Sequence, residues 1–237
     1  MITFILKLII IVYLFYMIKY VHEMLQYNPK ASLLMIDIPM KGKIHNELIH
    51  KSPLLINYTR NDLTIETMNY RIPGYIINDG KKLISFDEVI KYDSFIVQKN
   101  SKLVIDYLLE KRYSDIMKLF SDYMTCGQSN YLSLYRGDHI SPLTKNKNET
   151  LLLQPIQGSI IIYLFNPKHE KDIIGLQLKS IKKWSIKLEL NEDNLLYIPP
   201  EWSYFYEVKN DVILSHIECD SYPSVLFNYL RKINIKY

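Results

Sequence analysis

NLLYIPPEWSYFYEV, residues 194–208, reads as a buried strand, a Pro-Pro turn, a tryptophan and a second strand. Proline cannot donate to a sheet ladder, so Pro199-Pro200 marks a turn between two ladders. The layout is that of a barrel rim, where a metal enzyme often places a histidine, and no histidine stands there. Outward from this stretch the period is two. YLSLYR (131–136), TLLLQPI (150–156), GSIIIYLF (158–165), DIIGLQL (172–178), WSIKLEL (184–190), NLLYIPP (194–200), SYFYEV (203–208) and VILSHIE (212–218) are eight short strand candidates. Trp184, Ile186, Leu188 and Leu190 alternate with Ser185, Lys187 and Glu189, as a half-buried strand requires. Eight such strands in succession indicate a sandwich or a barrel.

Upstream, SLLMIDIP (32–39) and PLLINY (53–58) are aliphatic runs bounded by proline or polar residues and read as strands. Helical spacing then takes over. Ser85, Asp87 and Glu88 mark a helix start before Val89 and Ile90, and residues 101–120 place Leu103, Tyr107, Leu108, Ile116 and Leu119 on recurring faces. Val225, Leu226, Tyr229, Leu230 and Ile233 repeat at helical spacing and predict a closing helix over 222–234 that packs on the β region. The expected organisation is an anchor over 1–27 and one domain over 28–237, with a helical layer about 60–125 and a barrel about 131–218. The fold class is mainly β with a helical N-terminal layer, α+β.

The anchor is read from residues 2–21, ITFILKLIIIVYLFYMIKYV, whose only charges are Lys7 and Lys19. Twenty residues at helical rise match a hydrocarbon core, so a single transmembrane helix is expected. A cleaved signal peptide would have a shorter apolar region and a small-residue cleavage site, which VHEMLQYNPK lacks. Lys19, Lys30, Lys41 and Lys43 follow the span, which favours a cytoplasmic globular domain. The rest of the composition is permissive. In 237 residues, 48% apolar, a net charge of +4 comes without a basic block, which argues against a nucleic-acid face. Cys126 and Cys219 form no CxxC pattern and read as free thiols.

Chemical motifs are sparse. There is no GxxxxGK, GxGxxG or GxSxG, and the six histidines form no HxH or HExxH pair. His216 and Glu218 make an i, i+2 pair on one strand face, a spacing that can ligate a metal, and Asp138-His139 lies at the mouth of the β region. Without further ligands these read as a strand-end polar pair and a turn histidine.

The order of SPLTKN (141–146), QPIQGSIIIYLFNP (154–167) and EDNLLYIPPEWSY (192–204) resembles the cupin-like branch of the Jumonji-type 2-oxoglutarate oxygenases. PLLINY is similar to an early strand of that family. The resemblance implies a cupin-like double-stranded β-helix, a jelly-roll barrel, preceded here by the transmembrane helix. In the family, T-P-L-H-x-D supplies two iron ligands, Q-x-x-G-x-K a lysine for oxoglutarate, and G-D-x-L-Y-I-P-P-x-W-x-H the last ligand. Here the ligand positions are Thr144, Asn146 and Tyr204, and the lysine position is Ile160. A hydroxyl, an amide and a phenol do not make the facial triad of iron(II), and an isoleucine gives a carboxylate no charge-assisted bond. The resemblance therefore implies a degenerate member without catalytic iron or cofactor: a pseudoenzyme with a binding or scaffolding role and an unknown protein or small-molecule partner. Two alternatives stand beside it. One is an oxygenase with a relocated metal site built from Asp138, His139, His216 or Glu218. The other is a structural membrane protein, such as a large DNA virus encodes.

Overall fold

The computed structural model of the chain describes residues 2–37, 40–58, 63–78, 83–120 and 125–234. Helix α1 (Ile2–Leu25) is followed by β1 (Leu34–Ile36), α2 (Lys41–Leu48), β2 (Leu54–Asn57), α3 (Ile65–Arg71), β3 (Ile76–Asn78), β4 (Leu83–Ser85), α4 (Phe86–Val89), β5 (Phe95–Asn100), α5 (Ser101–Asp106) and α6 (Glu110–Phe120). The β region then runs through β6 (Thr125–Arg136), β7 (His139–Ile140), β8 (Thr144–Lys145), β9 (Thr150–Gln157) and β10 (Ile160–Phe165). After α7 (Glu170–Ile173) and α8 (Leu178–Ile181) come β11 (Ile186–Leu190), β12 (Asn194–Ile198), β13 (Ser203–Val208), β14 (Val212–Ser221) and α9 (Tyr222–Asn234). A seven-stranded sheet has the order β1-β2-β12-β9-β14-β6-β5, and a smaller sheet the order β11-β10-β13-β7, with β8 also paired to β13.

Side-chain alternation decides which layer each residue joins. On β14, Ile213, Ile217 and Cys219 pack with Phe86, Tyr113 and Ile116 of the helical layer. Val212 and Leu214 point the other way and meet Ile160, Ile162, Leu164, Tyr204 and Tyr206 of the small sheet. Strand β9 is apolar on both faces because both are covered: Leu152 and Ile156 join the helical side, Leu151 and Leu153 the space between the sheets. The outer face of the small sheet, with Tyr163, Phe165 and Phe205, is closed by Ile173 and Ile181. Each such aliphatic side chain contributes about 1.5–3 kcal/mol on burial. Gly158 makes the turn into β10: its φ is +77°, and a Cβ there would stand 2.4 Å from the Asp211 carbonyl oxygen.

The structure is thus mixed, with a sheet-dominated core and an N-terminal helix, and several expectations change. No closed barrel forms among the described residues, because the edge strands β1 and β5 of the large sheet do not pair with the small one. DIIGLQL is not a strand. Gly175 turns the chain at φ +78°, and Ile173 and Ile181 are presented from the short helices α7 and α8. Trp184 closes a 3-10 turn, so the alternating strand begins at Ile186. The helix expected over 101–120 is two helices broken at Leu108, whose φ of +56° turns the side chain out to 84% exposure. The closing helix forms, but Val225, Leu226, Tyr229 and Leu230 stand exposed instead of packing on the sheets.

Helix α1 also differs from expectation. Among the described residues, whose side chains run unbroken in α1 only over 4–20, no helix is long and apolar enough to cross a membrane. The transmembrane helix expected over 2–21 therefore has no support from that measure. What the fold does show is a helix exposed around its circumference from Phe4 to Ile18, with Met17 buried. Its far end is held to the domain by the Tyr20 hydroxyl, which donates to Glu149 Oε2 at 2.7 Å.

Candidate functional site

Between the two sheets the packing is interrupted by a cavity of about 130 Å³. Its polar walls follow from the same alternation. Ser133 and Tyr135 on β6, His216 on β14, and Tyr204 and Tyr206 on β13 all occupy inward phases of their strands, and Thr144 on β8 completes the rim. Lys99 and Gln98, at the end of β5, close the side.

His216 is the chemical centre of this space. It is 2% exposed, and its Nε2 lies 3.1 Å from Ser133 Oγ. Ser133 Oγ also accepts the Lys99 backbone N–H at 2.9 Å. The other ring nitrogen, Nδ1, is buried without a hydrogen-bond partner. Burial first, and the Lys99 charge second, push the imidazole pKa down to about 3, so the ring is neutral at ordinary pH. Nearby, the Tyr135 and Tyr206 hydroxyls are 2.6 Å apart, and burial raises both phenol pKa values. Burial, with the Glu218 charge behind it, raises Tyr204 as well. The walls therefore offer neutral hydroxyls, the Gln98 amide and one neutral imidazole, with the Lys99 ammonium paired to Glu218.

The residues singled out from the sequence separate into three groups. Thr144 and Tyr204 come together as register partners across β8 and β13, and both line the cavity. Asn146 is buried but serves the chain itself. Its Nδ2 donates to the carbonyls of Ile198 and Pro199 at 2.8 and 3.1 Å, and its Oδ1 accepts the Asn148 N–H at 2.9 Å. Ile160 lies elsewhere in the core: it pairs with Val208, whereas Tyr204 pairs with Leu164, a separation of four residues or about 13 Å at strand rise.

The four residues of the relocated-site alternative are not gathered into one centre. His216 and Glu218 share a face of β14, but Glu218 Oε1 is 2.5 Å from Lys99 Nζ. His139 stacks on Tyr135 with ring centroids 5.1 Å apart, outside the ring of cavity residues, and burial lowers its pKa. Asp138 is exposed beside Ile96 and Arg136. Among the described residues no three His, Cys, Asp or Glu side chains are grouped as a metal would require.

Sequence reasoning missed Ser133, Tyr135, Tyr206 and Lys99. Phase would have found one of them, since Tyr206 is two residues from Tyr204. Lys99 is brought in only by the fold. A larger cavity, about 310 Å³, lies between α1, α2, α6 and the large sheet, with Leu48, Met117, Phe120 and Tyr197 in its walls. The carboxylate of Glu149 there accepts from Tyr20 and from the Ser221 N–H, which makes it an attachment point for α1. In comparisons with known proteins the chain matches no family model and no curated protein, so the oxygenase resemblance rests on its own motifs.

Proposed function

We propose that this chain is a membrane-attached pseudoenzyme of cupin-like oxygenase ancestry, with a binding or scaffolding role centred on the cavity between its sheets. The observation that carries the reading is the pairing of Thr144 with Tyr204 at the cavity rim. Two motif positions that hold iron ligands in the resembled family are register partners here, and they present a hydroxyl and a phenol. The third, Asn146, has both side-chain ends committed to backbone. Among the described residues His216 is the one imidazole in the cavity wall, and Glu218 is held by Lys99. This donor set does not fit iron(II), which needs two imidazoles and a free carboxylate with open positions beside them. Oxoglutarate fits no better at Ile160, which is packed among aliphatic residues.

The cavity between the sheets, about 130 Å³, is small. A ligand there is small and bonds through the hydroxyls of the wall. The reading is tested on the purified full chain in detergent, supplied anaerobically with iron(II) and then with 2-oxoglutarate and oxygen. The expected result is far less than one iron per chain and no succinate. One bound iron per chain with iron-dependent succinate formation overturns it.

Membrane attachment is the second part of the proposal. Helix α1 exposes Phe4, Ile5, Leu6, Leu8, Ile9 and Ile10 around its whole circumference, an arrangement that water disfavours and hydrocarbon accepts. The lysines that follow it place the sheets on the cytoplasmic side. The chain is expected to remain with the membrane pellet after alkaline carbonate extraction. Its release into the supernatant overturns insertion.

A further inference from the structure

Helix α9 is attached to the domain by its polar side. The buried Ser224 donates its hydroxyl to Asp220, Asn228 Nδ2 donates to the Lys147 carbonyl at 2.9 Å, and Arg231 Nη1 donates to Glu201 Oε1 at 2.6 Å. Positions 224, 228 and 231 fall on one face of a helix. Tyr222, Val225, Leu226, Tyr229 and Leu230 fall on the other and are exposed, Tyr222 at 63% and Tyr229 at 61%. A surface helix of a domain surrounded by water has the reverse arrangement, apolar stripe inward and polar face outward. Here three polar anchors hold the helix while its apolar stripe is turned away from the core.

That stripe continues the surface of α1. Ser221, the residue before α9, donates its hydroxyl to the Tyr20 oxygen at 3.2 Å, and α1 and α9 touch. The outward face of α9 therefore begins beside the end of the helix whose apolar side chains stand exposed from Phe4 to Ile18.

We propose that α9 is a second membrane contact, lying in the plane of a lipid bilayer with Tyr222, Val225, Leu226, Tyr229 and Leu230 in the interface, beside the point where α1 enters. The inference rests on the insertion of α1 proposed above. Continuity with α1 selects lipid over a protein partner, and the two tyrosines on the stripe suit a boundary that is apolar below and wet above. Arg231 is already paired with Glu201, so zwitterionic lipid is sufficient. Two contacts, one inserted and one in plane, fix the tilt of the sheets against the membrane, which a single helix leaves free.

The test uses the full chain in phosphatidylcholine vesicles, with a fluorescent NBD label on one introduced cysteine in a Cys126→Ser background. Cys219 is buried, away from the label. The labelled sites are Leu226→Cys and Tyr229→Cys in α9, Leu14→Cys in α1, and Asn210→Cys in the exposed turn between β13 and β14. With lipid brominated along its acyl chains, the α9 and α1 labels are expected to be quenched about twofold or more and the Asn210→Cys label left unchanged. Quenching at Leu14→Cys with none at the α9 sites overturns the inference and leaves the α1 insertion standing. Absence of quenching at Leu14→Cys overturns both. Labels on α9 that are blue-shifted yet unquenched, in a chain that sediments as a dimer, show a second copy on this face and overturn the bilayer as its occupant.

Discussion

The side-chain amide of Asn146 donates to the main-chain carbonyl of Ile198 at 2.8 Å, tying the loop after β8 to the end of β12. The same nitrogen reaches the Pro199 carbonyl, and the Asn146 backbone completes the clasp: its N–H donates to Trp202 O and its carbonyl accepts from Glu201 N–H. A Pro-Pro turn has no N–H of its own to offer, and Glu201 within it has a left-handed φ of +68°. Trp202 N–H reaches the Pro199 carbonyl at 3.4 Å, and the Asn146 amide adds a shorter donor there and one to Ile198.

Asn146→Ala removes the amide donor from the buried residues Ile198 and Pro199, of which Pro199 keeps the Trp202 N–H. A loss of about 2–3 kcal/mol is expected, read by urea denaturation. Asn146→Asp should not restore it, since an ionised carboxylate accepts but cannot donate to a carbonyl.

Trp202 sits inside this clasp and is 1% exposed. Trp202→Ala is expected to cost about 3–5 kcal/mol in the same assay. Tyr204, two residues on and also inward, lines a cavity, so Tyr204→Phe should change stability by less than about 1.5 kcal/mol.

Acid should weaken the fold through His216. Its folded pKa is lowered from 6.5 to about 3, so below pH 6.5 the unfolded chain takes up a proton that the folded chain refuses. The unfolded state then binds more protons, and stability falls as pH falls from 6.5 toward 3. The contribution of this one group reaches at most about 1.4 kcal/mol per pH unit. His139, also lowered by burial, adds in the same direction, while Glu201 and Glu207, held below 4.5, enter only in stronger acid. Denaturation midpoints at pH 6.5, 5.5 and 4.5 are expected to show a shallower slope for His216→Gln than for the natural chain. Equal slopes would show that the folded ring protonates normally.

Leu108 holds a left-handed backbone with its side chain in solvent. Leu108→Gly removes a strain of about 1–2 kcal/mol and costs about 0.5–1 in unfolded-chain entropy. A small rise in melting temperature is expected, and a fall would show that the exposed leucine makes a contact of its own.

Short apolar runs at 150–156 and 203–208, with the alternation over 186–190, were enough to determine that the second half is β-rich, and Pro199-Pro200 to determine the turn. These depend on neighbours a few residues apart. DIIGLQL shows the limit of such signals, because a short aliphatic run serves a strand or a pair of helical turns equally well until the layer it must cover is known. Only the tertiary structure decided that Thr144 and Tyr204 meet while Asn146 and Ile160 do not join them. Alternation gives the face a side chain takes; register between strands distant in the chain gives its position along that face, and register is set by loops and packing. The same reason kept Lys99 and Ser133 out of view. His216 was visible as one of an i, i+2 pair, but its unpartnered Nδ1 exists only because β6 and β14 lie side by side and bring Ser133 to its other nitrogen.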